Sequence, residues 1–344
     1  MTFSPRTASG PGLAPAGGVF VDTRDDVAPE VSVVVPFHAS TRHFEHYLAE
    51  GLWDGLPVQL VADGASPGHV QRLHERIGGR PQARLHAYAP NEGPAAARRH
   101  GAARVETPYC MFCDEDDFLV DGLAACREAA GVLRDEDVLF ATLPSVVAFD
   151  AELRAGRQYD RRSFDGVTAA TLLRHLVRTG EMSALGAGTA FVTADLTALP
   201  LVEPFFRVSE DYVMLARLCA AHPERRVRVL ASGRYMRLVH TGSLSARRAF
   251  SAERAVMNLV AMGVGAAYLA ERGELTAADL HRILTERGEV LQQSYGLGRG
   301  AAAAVVHWTG GPPPATRDPE ADASRAFLEA SRAVLPPELG RFGP

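Results

Sequence analysis

The amino-acid sequence predicts an α/β fold, with a mostly parallel central sheet flanked by helices and a helical region towards the C-terminal end. Short β-rich runs alternate with helix-like segments through the first half of the chain, which is typical of repeated strand–helix–strand units. The chain has 344 residues, 47% of them hydrophobic, so it can bury a sizeable core. Both faces of such a sheet should be covered.

The predicted elements follow in a regular order. The β-rich runs are VSVVV from residue 31, VQLVA from 58, RLHAY from 84, YCMFC from 109 and VLFAT from 138. The helix-like segments between them lie at about 41–52, 66–78, 94–105 and 121–134. Beyond them we predict a helix near 168–179, a strand near 188–193, a helix at 210–221, and strands at VRVL and YMRLV.

The sequence predicts four regions. Residues 1–29 are rich in Gly, Pro, Ala and Ser and form a disordered N-terminal tail. Residues 30–250 form the nucleotide-binding and catalytic domain, and 251–309 form a helical region in which Thr276 and Asp279 make a capping pair. Residues 310–344 are a linker, spanning 310–322, and a terminal amphipathic helix that docks either on its own domain or on a second subunit of a homodimer.

Charge and composition exclude several classes of function. The net charge is -5, so we expect no nucleic-acid partner. The chain contains no lysine, which excludes a Walker A loop and Schiff-base chemistry. The longest apolar stretch, at 255–270, is shorter than the ~20 residues that span a bilayer, and no signal peptide is apparent, so we predict no transmembrane segment and a cytoplasmic location.

The four cysteines do not predict a disulfide framework. Cys110 and Cys113 form a C-x-x-C pair, which is also a pattern of zinc and redox sites. On a strand, however, two positions that are three residues apart point to opposite faces of the sheet. Core packing is therefore the preferred interpretation.

Four acidic residues, Asp114 to Asp117, directly follow the YCMFC run. Asp114 and Asp116 are two apart, so in an extended chain both can bind one hard divalent cation such as Mg²⁺ or Mn²⁺. A solvated acidic turn is the alternative. The polar stretches PFHAS and ADGAS also follow predicted parallel strands, and ligands bind where the carboxyl ends of such strands converge, which favours the cation site.

Six motifs follow one another along the chain: VSVVVPFHAS, VADGAS, NEGPAAARRHGAA, YCMFCDEDDFLVDG, SEDYVMLARL and YMRLVHTGSLS. Their order and spacing resemble those of family 2 glycosyltransferases of the GT-A fold over about residues 30–246. The resemblance implies a Rossmann-like GT-A domain, a nucleotide-sugar donor and a Mn²⁺ or Mg²⁺ ion. Pro36 and Phe37 would border the nucleotide, and Asp63 would hydrogen-bond the base, although Ala62 replaces the first aspartate of the usual pair.

The resemblance also implies roles for the next two motifs. Asn91, Gly93 and Arg98 match an N-x-G…A-R pattern whose arginine contacts the base or a phosphate, although Arg99 replaces the usual asparagine. In the D-x-D motif, Asp116 would bind the metal directly and Asp114 would lie nearer the ribose or a metal-bound water. Glu115 belongs to the same nucleotide site, and Asp117 could substitute for either aspartate.

The two C-terminal motifs supply the remaining candidates. Asp211 would be the general base, with Glu210 beside it, at the start of a helix that Ser209 is suited to cap. Acidic residues in a first helical turn are also favoured by the helix dipole alone. His240 would reach the metal or the diphosphate, assisted by Arg237 and Ser243.

These residues together predict an inverting, metal-dependent transfer of a sugar, with a UDP-sugar as the favoured donor, to a hydroxyl of a small-molecule or glycoconjugate acceptor. A sugar-1-phosphate nucleotidyltransferase is an alternative, but its glycine-rich signature contains lysine. A dehydrogenase would need a G-x-G-x-x-G motif after the first strand. A catalytically silent nucleotide-sugar-binding protein is the remaining alternative.

Overall fold

The computed structural model describes residues 30–37, 42–51, 53–80, 82–150, 155–180, 186–200, 202, 205–239, 250–314 and 318–341. The predicted tail at 1–29 and the candidate residues His240 and Ser243 lie outside the described residues. The described chain contains two β-sheets and a set of surrounding helices. The predicted α/β class with a mainly parallel central sheet is confirmed.

The strands, in chain order, are β1 (Val31–Phe37), β2 (Val58–Asp63), β3 (Ala83–Tyr88), β4 (Tyr109–Phe112), β5 (Phe118–Val120), β6 (Val138–Thr142), β7 (Ser145–Phe149), β8 (Ala155–Asp160), β9 (Thr189–Val192), β10 (Arg226–Val229) and β11 (Arg234–Leu238). The seven-stranded central sheet has the order β10-β6-β9-β4-β1-β2-β3, and the four-stranded second sheet has the order β5-β11-β7-β8.

The helices are α1 (Arg42–Ala49), α2 (Pro67–Ile77), α3 (Pro94–Ala102), α4 (Gly122–Leu133), α5 (Ala169–Thr179), α6 (Thr193–Ala198), α7 (Glu210–Ala221), α8 (Ala252–Glu271), α9 (Ala277–Tyr295), α10 (Arg299–Trp308) and α11 (Pro319–Ala330). Each helix predicted in the first half of the chain is present within a few residues of its expected bounds. The strands predicted there are present too.

The pairing of the central strands places their ends at one edge. Strand β1 runs parallel to β2 and to β4, with Val34 opposite Phe112 and Phe37 opposite Ala62. Strand β9 is antiparallel to both of its neighbours, β4 and β6. The carboxyl ends of β1 to β4 therefore meet along the edge where ligands bind in sheets of this kind.

The central sheet separates two hydrophobic cores. Cys110 and Phe112 contribute to one core, whereas Met111 and Cys113 contribute to the other, as expected from the alternation of side chains along a strand. All four cysteines are buried and free, and burial raises the pKa of the Cys110 thiol to about 12. The interpretation of the C-x-x-C pair as core is consistent with this placement.

The second sheet was not predicted as a sheet. Only β11 was expected from the sequence, because β5 has three residues and β8 (AGRQYD) lacks an apolar alternation. β7 follows β6 after only two residues, so the apolar runs of β6 and β7 are nearly continuous in sequence. Neither length nor pattern could separate them.

The C-terminal helices share the core of the sheet domain. Helix α8 packs on α5 and α7 at Gly265, where a Cβ atom would lie 2.9 Å from both Val177 and the Tyr212 hydroxyl. The predicted capping box of Thr276 and Asp279 is present at the start of α9. No helix among the described residues is long and apolar enough to cross a membrane.

The predicted linker at 310–322 is wrong at its C-terminal end. Helix α11 already begins at Pro319, because the Asp318 carboxylate accepts hydrogen bonds from the backbone amides of Glu320 and Ala321. Helix α11 docks on α10 of its own chain. The Glu320 carboxylate also accepts a hydrogen bond of 2.6 Å from the Gly298 amide at the start of α10.

Candidate functional site

The candidate site lies at the carboxyl edge of the central sheet, beyond β1, β2 and β4. Asp63 ends β2, and the Asp114–Asp117 turn follows β4. The other carboxylates come from the start of α7, which is far away in sequence. The edge gathers acidic side chains from three separate parts of the chain.

Asp63 organises the loop that follows β3. Its carboxylate is buried and accepts hydrogen bonds from the backbone amides of Glu92, at 2.7 Å, and Gly93, at 2.8 Å. The Asn91 side chain in turn donates to the Asp63 carbonyl at 3.1 Å. Gly64 is required beside this loop, since it has φ +65° and a Cβ would lie 2.6 Å from the Asn91 nitrogen. The contacts of the Asp63 carboxylate thus include two backbone amides, and its contact with a base stays a prediction.

Arg98 joins the two acidic groups of the site. It lies on α3, which approaches the sheet closely because Gly101 packs against Val34 and Val61. Its guanidinium pairs with Asp114 at 2.7 Å and with Glu210, and it lies 5.9 Å from the centre of the Phe112 ring. The Arg98 side chain is only 14% exposed. Burial lowers the pKa of Arg98, but Asp114, Glu210 and Asp211 together raise it above the ordinary value.

Three hydrogen bonds hold the backbone of the acidic turn. The Asp114 amide donates to the Tyr235 hydroxyl at 3.0 Å, and the Tyr47 hydroxyl donates to the Asp116 carbonyl at 3.1 Å. Within the turn, the Asp117 amide donates to the Asp114 carbonyl at 3.1 Å. These bonds fix the backbone that carries Asp114 and Asp116.

Asp117 does not belong to the candidate metal site. Its side chain is 2% exposed and accepts a hydrogen bond of 2.8 Å from the Leu238 amide of β11. Burial, together with the neighbouring Asp116 and Asp114, raises its pKa well above the usual range. The prediction that Asp117 could substitute for Asp114 or Asp116 is therefore wrong, because its carboxylate is used to join the turn to the second sheet.

Helix α7 begins with the two candidate catalytic carboxylates. Glu210 is buried and Asp211 is half-buried, with the Asp211 carboxylate accepting a 2.9 Å hydrogen bond from the Tyr212 amide. Burial raises the pKa of Asp211 to about 7, the charge of Glu210 raises it too, and Arg98 opposes this shift. A carboxyl group with this pKa can accept a proton near neutral pH.

Ser209 precedes α7 but does not cap it with its side chain. The residue has φ 64°, in the left-handed region, and its hydroxyl makes no capping hydrogen bond. Instead it accepts a hydrogen bond of 3.3 Å from Asn258 of α8. The expected N-cap is thus wrong in its contact, because the tertiary neighbour takes the place of the helix amides.

The remaining candidate residues differ in whether their side chains face the site. Pro36 and Phe37 end β1, but the Phe37 side chain is 4% exposed and packs in the core, so the expected contact of that side chain with a nucleotide is not supported. Glu115 lies in the acidic turn beside Asp114, and Arg237 lies half-buried on β11.

Three side chains at the site were missed by the sequence analysis. Tyr47 and Tyr235 hold the acidic turn, and Arg207 donates to the Asn91 side chain at 2.8 Å. Arg207 is exposed and lies against Gly93, three residues before Glu210. The sequence signal for Arg207 is its position beside the SEDYVMLARL motif, and the signal for Tyr235 is its place as the first residue of YMRLVHTGSLS. Tyr47 lies in α1, where the sequence analysis found no motif.

The donor atoms fit a divalent cation in part. Among the described residues no group of three histidine, cysteine or acidic side chains could hold a metal ion. Mg²⁺, however, is commonly bound by one or two carboxylates together with substrate phosphates. Asp114 and Asp116 are the two carboxylates that would hold such an ion, whereas His240 is outside the described residues.

A cavity of about 800 Å³ lies at the opposite edge of the central sheet, lined by Tyr109, Val138 and Val192 among others. Of its four acidic lining residues, Glu106 is paired with Arg84 at 2.5 Å and Asp195 with Arg225 at 2.6 Å. This cavity lies at the other end of the strands from Asp63 and the Asp114–Asp117 turn.

Comparison with known proteins finds similarity to an uncharacterized glycosyltransferase and to a succinoglycan biosynthesis protein. No protein-family model matches it. An uncharacterized glycosyltransferase of Haemophilus influenzae is 26% identical over 100 residues, which are 27% of this chain and 38% of that protein. The succinoglycan biosynthesis protein ExoU of Rhizobium meliloti is 26% identical over 276 residues, which are 74% of this chain and 76% of that protein.

Solved structures show the same architecture. TarS of S. aureus superimposes with a TM-score of 0.55 at 16% identity, over 91% of this chain and 50% of that chain. The 1–349 portion of TarS in complex with UDP-GlcNAc gives a TM-score of 0.56 at 18% identity, over 91% and 83% of the two chains. The mannosyltransferase PcManGT of Pyrobaculum calidifontis, in complex with GDP-Man and Mn²⁺, gives 0.50 at 14% identity, over 89% and 81%. The chain thus spans half the length of the longer TarS chain.

Proposed function

We propose, on the premise that the chain has the fold of GT-A glycosyltransferases, that the protein transfers a sugar from a nucleotide-diphosphate donor to a hydroxyl group of an acceptor. Membership of family 2, inversion at the anomeric carbon and preference for a UDP-sugar are parts of this proposal. The observation that carries it is the cluster in which Arg98 bridges Asp114 and Glu210 beside Asp211.

Asp211 acts as the general base. Its carboxylate accepts the proton of the acceptor hydroxyl while that oxygen forms a bond to the anomeric carbon of the donor sugar. The bond between the anomeric carbon and the phosphate oxygen breaks, and its electron pair leaves with the nucleoside diphosphate. With a pKa of about 7, a substantial fraction of the Asp211 carboxyl groups is deprotonated at neutral pH, and the carboxylate is a stronger proton acceptor than an ordinary aspartate.

Arg98 and the acidic turn act on the leaving group. Asp114 and Asp116 would hold a divalent cation, which as a Lewis acid neutralises the charge that develops on the leaving diphosphate. Arg98 orients Asp114 through the 2.7 Å ion pair and also pairs with Glu210 beside the base. The charge on Glu210 in turn helps to raise the pKa of Asp211.

A thermal-shift experiment tests the donor class. The full chain is heated with UDP-, dTDP- and GDP-sugars, with and without Mn²⁺, because a ligand that binds only the folded state raises the melting temperature. We expect a metal-dependent rise with one nucleotide that is lost in Asp116→Asn. Asp322→Asn, which changes an exposed aspartate on α11, is the matched control and should keep the rise.

Two outcomes would contradict the proposal. No rise with any donor, in either metal condition, would remove the nucleotide-sugar site. A rise without any hydrolysis or transfer of the donor would instead favour a catalytically silent binding protein. Where transfer is found, the anomeric configuration of the product by NMR tests inversion.

A further inference from the structure

Arg161 is a fully buried cation whose role the proposed reaction does not explain. It follows β8 and has no exposed surface. One guanidinium nitrogen donates to the Thr142 hydroxyl at 2.6 Å and another donates to the Ala187 carbonyl at 2.9 Å. Its Nε has no hydrogen-bond partner, and among the described residues no carboxylate forms an ion pair with it.

This arrangement costs stability. A buried charge without a counter-ion is unfavourable by several kcal/mol, and apolar residues of similar volume are often at least as stable at such positions. Burial accordingly lowers the pKa of Arg161 to about 9. The contacts of Arg161 therefore point to a role other than stabilising the fold.

The carbonyl that Arg161 binds belongs to a segment that touches the candidate base. At Gly186 a Cβ atom would lie 2.7 Å from the Asp211 Oδ2 atom, so the backbone packs directly on that carboxylate. At Gly188, which has φ +66°, a Cβ atom would lie 2.8 Å from the Tyr235 ring. The segment 186–188 is thus a wall between Asp211 and the tyrosine that holds the acidic turn.

The wall is anchored on both sides by the sheet as well. The Gly188 amide donates to the Phe112 carbonyl and the Leu143 amide donates to the Gly188 carbonyl, each at 3.0 Å. Those two bonds fix the backbone of Gly188 but not that of Ala187 or Gly186. One N–H group of the Arg161 guanidinium binds the Ala187 carbonyl, and another binds the Thr142 hydroxyl of β6. Arg161 therefore links the Ala187 carbonyl to β6.

We propose that Arg161 is a positioning residue, which fixes the 186–188 wall through the Ala187 carbonyl and thereby holds the Asp211 carboxylate in place. The inference rests on the proposed role of Asp211 as the base. Arginine suits this task because its planar fork directs two N–H groups to two separate acceptors, which a lysine ammonium on a single stem does not reproduce. A misplaced base can lower a rate by about 10²-fold.

The test uses Arg161→Met, Arg161→Lys and Gly186→Ala in the full chain. Three quantities are measured for each: the rate of donor hydrolysis against pH, the Kd of the donor nucleotide by calorimetry, and the melting temperature. Arg161→Met should lower the hydrolysis rate by about 10- to 100-fold, with the nucleotide Kd within about twofold of the original and the melting temperature unchanged or raised. Arg161→Lys should recover little of the rate.

Gly186→Ala should give the same kinetic loss, because its Cβ displaces the Asp211 carboxylate directly. In the double variant of Gly186→Ala with Arg161→Met, the fold-loss of the hydrolysis rate should be smaller than the product of the two single fold-losses, since both substitutions act through the segment 186–188. A hydrolysis rate that survives Arg161→Met would overturn the proposal. So would a fall in melting temperature with a parallel loss of nucleotide binding, because a structural role would produce both. If Arg161→Met does not fold, Arg161→Lys and Gly186→Ala carry the same test.

Asp211→Asn separates this proposal from the proposed function. If Asp211→Asn keeps the hydrolysis rate, the assignment of the base fails and with it the premise. If Asp211→Asn abolishes hydrolysis while Arg161→Met and Gly186→Ala do not lower it, only the positioning role fails.

Discussion

Arg98, whose side chain is 14% exposed, and Arg161, which is fully buried, both lie near the carboxyl edge of the central sheet, yet their partners differ. Arg98 lies between Asp114 and Glu210, and these carboxylates raise its pKa against the effect of burial. Arg161 meets a hydroxyl and a carbonyl, and burial lowers its pKa to about 9. The same side chain is a counter-ion in one place and a hydrogen-bonding clamp in the other. The effect of burial on the pKa of a charged side chain, and on stability, therefore depends on the partners of that side chain.

The largest expected effect comes from removing the Asp211 carboxylate, which Arg161 is proposed to hold in place. Asp211→Asn should lower donor hydrolysis and transfer by about 10²- to 10⁴-fold, because the proton acceptor is lost. Donor binding should stay nearly intact, as measured by calorimetry with the donor nucleotide. Equal loss of binding and rate would take Asp211 out of the base role.

The two arginines should respond oppositely to the same substitution. Arg98→Met leaves Asp114 and Glu210 without a counter-ion, so the free energy of unfolding should fall by about 3–5 kcal/mol at neutral pH. Arg161→Met removes an uncompensated charge, so the free energy should be unchanged or rise by about 1–4 kcal/mol. Urea unfolding measures both, with the exposed neighbour Arg99→Met as the control. Similar losses of unfolding free energy for both variants would contradict the difference proposed between Arg98 and Arg161.

Glu210→Gln should move the pH dependence of the reaction. The base form of Asp211 accumulates as pH rises through its pKa of about 7, so the hydrolysis rate should rise with pH across that range. Burial is the larger cause of the raised pKa and remains, whereas the repulsion from Glu210 is removed. The midpoint of the rate profile should therefore shift by roughly 1 pH unit to lower pH. A midpoint that stays or rises would mean that another group controls the profile.

Tyr235→Phe should have the smallest effect. The variant keeps the ring against Gly188 but removes the acceptor of the Asp114 amide hydrogen bond. We expect a loss of about 1 kcal/mol in the free energy of unfolding and a weaker affinity for the donor with metal. Tyr295→Phe, which removes the hydroxyl of an exposed tyrosine on α9, is the control and should leave both quantities nearly unchanged.

Local pattern predicted most of the first half of the fold. The alternation of β-rich and helical runs located β1 to β4, β6 and the helices between them, since each pattern is carried by neighbouring residues. The second sheet was not predicted, because β5 is short and β8 is polar. Such strands form through pairing with a neighbouring strand, as β5 pairs with β11 and β8 with β7.

The candidate site was predicted in its residues but not in its contacts. Arg98, Asp114, Glu210 and Asp211 were each named from motifs, while their meeting at one point depends on the packing of α3 and α7 on the sheet. Phe37 and Asp117 were assigned to the site from the resemblance of their motifs, but the side chain of each is buried. A motif fixes neighbours along the chain and leaves the direction of each side chain to long-range packing.

The sequence by itself determined the α/β class, the burial of the cysteine pair and the acidic row at a strand end, because these depend on composition and on periods of a few residues. Only the tertiary structure decided that Arg161, which no motif marks, would contact the wall beside Asp211. The pKa of Asp211 was decided there too, since it depends on burial and on the charges of Glu210 and Arg98. Interactions between charges depend on distance in space, and that distance is set by the whole fold.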